Sequence, residues 1–84
     1  MTECLIVCRS LTYAQRASRA IERTGLRASL VRIKPELTDK GCGYAIKVIE
    51  KNLGQSLEIM EKNSIQAGKI FSIGEDGSYR ERTP

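Results

Sequence analysis

Glu3-Cys4-Leu5-Ile6-Val7-Cys8 decides the reading of the fold. A short, continuous apolar run rich in branched side chains is a strand buried on both faces, hence central in a sheet. The flanking sequence fits that placement. Ser10 or Thr12 caps a following helix, in which Ala14, Ala17, Ser18 and Ile21 recur at helical spacing until Gly25 ends it. Residues 27–33 alternate imperfectly, with Ser29, Val31 and Ile33 on one side, and Pro35 closes this second strand. Residues 44–49 form a third strand, with Tyr44, Ile46 and Val48 facing one way and Ala45, Lys47 and Ile49 the other. A second helix spans Leu53 to Lys62, with Leu57 and Met60 as its inner stripe, and residues 69–73 form a fourth strand.

The order βαββαβ is that of an α+β, ferredoxin-like two-layer sandwich, with two helices on one face of a four-stranded antiparallel sheet. Residues 1–73 make one such domain. Residues 74–84, polar and glycine-containing, read as a mobile tail. The uncovered sheet face is expected to carry an apolar strip including Ala45 and Ile49, which points to a homodimer or a partner surface.

Composition narrows the chemistry. The 84 residues suffice for one core, and 40% hydrophobic content is enough to fold it. No apolar run reaches the ~20 residues of a membrane span. The opening run also lacks the basic start and length of a signal peptide, so a soluble, cytoplasmic protein is expected. Histidine and tryptophan are absent. That removes Cys-His and Ser-His nucleophile pairs and His-containing metal sites. Three tyrosines and one phenylalanine are a thin supply for nucleic-acid stacking, and the third strand lacks the aromatic pair an RNA-reading sheet requires. The net charge of +4 is mild. Arg16, Arg19 and Arg23 form a basic stripe on the first helix, either a solvated face or a dock for an acidic partner or nucleic acid phosphate.

Three cysteines, an odd count, fit a reducing compartment better than a disulfide scaffold. Cys4 and Cys8 share a face of the first strand, with Cα atoms ~13 Å apart. A disulfide needs less than ~7 Å, so they are read as core hydrophobes. Cys42 lies outside the apolar periodicity, in Asp39-Lys40-Gly41-Cys42-Gly43. Gly41 and Gly43 leave room around the thiol, and Lys40 and Lys47 favour the thiolate while Asp39 acts the other way. At an ordinary thiol pKa only ~3% would be ionised at pH 7. The same residues also fit a tight glycine turn that happens to contain a cysteine. No CxxC pair is present, so two-thiol exchange has no local resolving partner.

The chain resembles the selenium/sulfur carrier-like family over roughly residues 3–73. The resemblance rests on the opening strand CLIVCRS, the small-residue helix, the strand ending Ile33-Lys34-Pro35, and the polar loop leading into Cys42-Gly43. Gly41 stands where the family has a serine-like neighbour, and Tyr44 follows the glycine. Cys4 and Cys8 match no family motif. The resemblance implies a carrier that holds sulfur or selenium on Cys42 as a persulfide or selenosulfide. It would take the atom from a protein donor such as a cysteine desulfurase and give it to a protein acceptor, with no metal or cofactor. The competing class is a ferredoxin-like binding or regulatory module that acts through its sheet surface without thiol chemistry.

Overall fold

The computed structural model describes residues 2–34 and 43–82. Its elements run β1 (Glu3–Val7), α1 (Leu11–Glu22), β2 (Ser29–Arg32), β3 (Tyr44–Ile49), a 3-10 turn (Glu50–Asn52), α2 (Leu53–Lys62), β4 (Ile70–Ile73) and β5 (Tyr79–Arg82). The described residues form an α+β fold with two helices and an antiparallel sheet of order β2-β3-β1-β4-β5. β1 sits at its centre, where Ile6 pairs with Ile46 on one side and Ile70 on the other.

Each element follows from local chemistry. The five residues Cys4 to Cys8 are buried on both faces, as a central strand demands. Ser10 caps α1 by accepting the Tyr13 N–H at 3.4 Å. Ala14, Ala17, Ser18 and Ile21 form the buried stripe of α1, and Gly25 takes a φ of +89° beyond its end. In α2 the buried stripe is Leu53, Ser56 and Met60, with Leu57 only partly covered. Both helices cover one sheet face, where Cys4, Ile6, Cys8, Ile46, Val48 and Ile70 meet Ala14, Ala17, Ile21 and Met60.

One expectation is corrected. The sheet has five strands, not four, and the fifth lies in the segment expected to be a mobile tail. A tight turn folds it back onto β4. Gly74 N–H donates to the Ser78 carbonyl at 2.8 Å, and Gly77 holds φ at +83°. The Ser78 hydroxyl and N–H both donate to Asp76 Oδ1, at 2.7 and 3.0 Å. Asp-Gly between two strands is a strong hairpin signal. Arg82 then anchors β5 with an ion pair to Glu50 and hydrogen bonds to Ser72 Oγ at 3.4 Å and Cys4 Sγ at 3.6 Å.

The sheet face away from the helices is largely covered. Leu5, Val7, Ile33, Ala45 and Phe71 cluster there, all buried within the single chain. Of the strip expected there, Ala45 is buried and Ile49 is partly exposed.

Candidate functional site

The candidate site lies at the end of the sheet where β2 passes to β3. Its geometry starts from the antiparallel register, which pairs Leu30 with Ile46 and Arg32 with Tyr44. One step further, Ile33 N–H donates to the Gly43 carbonyl at 2.7 Å. This bond ties together the two ends of the segment that carries Cys42. Lys40, Gly41 and Cys42 themselves lie outside the described residues.

Gly43 has a packing reason of its own. A Cβ there would meet the Ile33 carbonyl oxygen at 3.0 Å, inside ordinary van der Waals contact. Glycine lets the two strands close at this point, whatever room it also gives the neighbouring thiol.

Lys47 occupies the middle of β3, four residues past Gly43, or ~13 Å of strand rise. Its ammonium stands 3.9 Å from Glu3 Oε2. Arg32 is the nearer cation. Its Cγ lies 3.9 Å from where a Gly43 Cβ would be, and its side chain is exposed. Sequence reading missed Arg32, because its proximity depends on the β2–β3 register, which pairs it with the residue two places after Cys42.

The first turn of α1 reaches the same end. β1 pairs Val7 with Ala45, and Cys8 N–H donates to the Tyr44 carbonyl at 3.0 Å, so the chain enters Arg9 and the Ser10 cap beside the start of β3. A helix N-terminus carries about half a positive charge. This end of the sheet therefore combines a helix start with the exposed cations Arg9, Arg32 and Lys34. It is suited to holding an anion such as a thiolate.

The other two thiols are placed differently. Cys4 is 0% exposed and Cys8 2%, both in the core beneath the helices, and they are not bonded to each other. Cys8 Sγ donates to the Ile6 carbonyl at 3.6 Å. A groove of about 570 Å³ at the opposite end of β1, bounded by Glu3, Ser72, Gly74 and Arg80, lies away from this site. Among the described residues no helix is long and apolar enough to cross a membrane.

No curated protein and no solved structure matches the chain. A family model described as "Putative Se/S carrier protein-like" matches residues 3–72, which span β1 to β4 and include Cys42. With most of its length matched, the chain belongs to the Se/S carrier-like family.

Proposed function

We propose that this protein carries sulfur or selenium on Cys42 between partner proteins in a reducing cytoplasm, and that its βαββαβ core is a ferredoxin-like frame for that thiol. The observation that carries the reading is the contrast among its cysteines. Cys4 and Cys8 are sealed in the core, which leaves Cys42 as the thiol for transfer within a carrier-like family.

The step is thiol exchange. The Cys42 thiolate attacks the terminal sulfur of a donor persulfide, such as one on a cysteine desulfurase. A Cys42 Sγ–S bond forms and the donor S–S bond breaks. The electron pair leaves on the donor, which is reduced to its thiolate, while Cys42 is oxidised to the persulfide. A selenium atom would be held in the same way as Cys42-S-SeH. An acceptor thiol then repeats the exchange on Cys42-S-SH and regenerates the thiolate. The chemistry needs a reachable, partly ionised sulfur and a positive surrounding for the anion. Arg32, Arg9 and the α1 N-terminus support the second need, and Lys40 is proposed to add to it. Lys47, engaged with Glu3, contributes at longer range.

A module acting through its sheet surface has less support, because Leu5, Val7, Ala45 and Phe71 are already covered. The test is incubation with a cysteine desulfurase and cysteine, followed by intact mass. The carrier reading expects one reductant-labile sulfur, lost in Cys42→Ser and kept in Cys4→Ser. Sulfur retained by Cys42→Ser would overturn it.

A further inference from the structure

The charges of this chain are divided unevenly. Residues 11–34, which make α1 and β2, hold the cations Arg16, Arg19, Arg23, Arg27, Arg32 and Lys34 against the single carboxylate Glu22. The chain as a whole is +4, so the remainder is net negative. All six cations are exposed. Among the described residues, the cations held in ion pairs are Lys47, Lys62, Lys69 and Arg82, all outside this region. Glu22 accepts a hydrogen bond from the Ser18 hydroxyl at 3.2 Å and pairs with no arginine. Arg16 lies over the Tyr13 ring, 5.7 Å from its centre. Four of the seven other described cations are paired and none of these six is, so unneutralised positive charge is concentrated in the α1–β2 segment.

A second observation identifies what that segment fits. The described residues include three exposed large hydrophobics, and two of them, Leu11 and Leu30, belong to α1 and β2. Leu30 is on the sheet's edge strand. Phosphate recognition needs cations but gains nothing from exposed leucines, and a nucleic-acid surface would want stacking rings, of which this segment offers Tyr13 beneath Arg16. Apolar anchors within a charged rim are the composition of a protein interface. Arginine forks also match carboxylates in bidentate geometry.

We infer that the α1–β2 segment, centred on Arg16, Arg19, Arg23, Leu30 and Arg32, is a docking surface for an acidic protein surface bearing apolar pockets. The inference rests on the carrier reading for its purpose. Arg32 abuts Gly43, so a partner seated here would meet the segment that carries Cys42. The docking itself requires no thiol.

The test uses a fluorescein-labelled amphipathic peptide rich in glutamate, with leucines at helical spacing, and an RNA hairpin of equal charge as the competing probe. The triple variant R16E/R19E/R23E is compared with K51E/K62E/R80E, which has the same net charge but alters positions outside the α1–β2 segment. Both alter exposed positions, and circular dichroism confirms their folds. The expected result is peptide binding weakened at least about tenfold by the α1 triple, and within about twofold of wild type for the control. Leu30→Ser should weaken binding several-fold, and Cys42→Ser should leave it unchanged. Equal weakening by both triples would reduce the effect to net charge and overturn the inference. So would the absence of peptide binding, or tighter binding to RNA that is indifferent to Leu30→Ser. Loading of Cys42 by inorganic polysulfide, in wild type and in the α1 triple alike, scores the carrier reading separately. If polysulfide loads neither, the carrier reading fails while the peptide result still judges the surface.

Discussion

The strand β1 and the junction of β2 with β3 differ in what their surroundings offer a cysteine. Along β1, Cys4 and Cys8 stand among Leu5, Ile6 and Val7 with almost no exposed surface. A thiol there fills volume as a small hydrophobe. At the junction, the strands close over Gly43, the neighbouring side chains are Arg32 and Tyr44, and the charge around them is positive and unpaired. The difference teaches that residue type alone does not assign a role. The proposed carrier role assigns transfer to Cys42 and leaves the two buried thiols as packing.

The sharpest break of this comparison would come from reactivity. A thiol in a core strand reacts with a disulfide reagent only after the strand opens, at a cost close to the global stability of about 5 kcal/mol or more. Native-state labelling should therefore modify Cys42 more than about a thousandfold faster than Cys4 or Cys8. Equal rates for the three would dissolve the contrast. Next in size is packing. Ile6→Ala removes a fully buried side chain between Ile46 and Ile70 and should cost about 2–5 kcal/mol in urea unfolding.

A smaller effect probes the junction itself. Gly43→Val drives a side chain against the Ile33 carbonyl and should cost about 1–3 kcal/mol by thermal melting. A cost near zero would show that the strands close there without needing glycine. The smallest effect belongs to the β4–β5 turn. Hydrogen bonds from the Ser78 hydroxyl, then from its N–H, hold the Asp76 carboxyl below its ordinary pKa of 3.8. A lowered folded pKa gives stability that is fully present above 3.8 and is lost as pH falls through the folded value. Asp76→Asn should flatten that acid-side slope of the melting temperature, because the variant lacks the carboxylate's contribution and melts slightly lower at neutral pH.

Much of the frame was legible because it is written in periodicity. ECLIVC showed a doubly buried strand, Ala14, Ala17 and Ile21 showed the face of α1, and Tyr44, Ile46 and Val48 showed the side of β3 that meets the helices. The fifth strand was not, because three of the four residues in Tyr79-Arg80-Glu81-Arg82 are charged. A polar edge strand carries no hydrophobic alternation. Asp76-Gly77 was its one readable sign. The burial of Leu5, Val7 and Phe71 on the face away from the helices was equally hidden, since alternation tells which side chains share a face but not what covers it. For the site, the sequence singled out Cys42 and Gly43, while Arg32 became visible only through cross-strand register.

The central claim is that transferred sulfur resides on Cys42 and not on the cysteines of β1. Trypsin separates the two cases, because Cys4 and Cys8 fall together in residues 1–9 and Cys42 in residues 41–47. After loading by a cysteine desulfurase and alkylation without reductant, peptide mass mapping should find the added sulfur in the 41–47 peptide and none in 1–9. Sulfur in the 1–9 peptide, at a level equal to or above that in 41–47, would contradict the account.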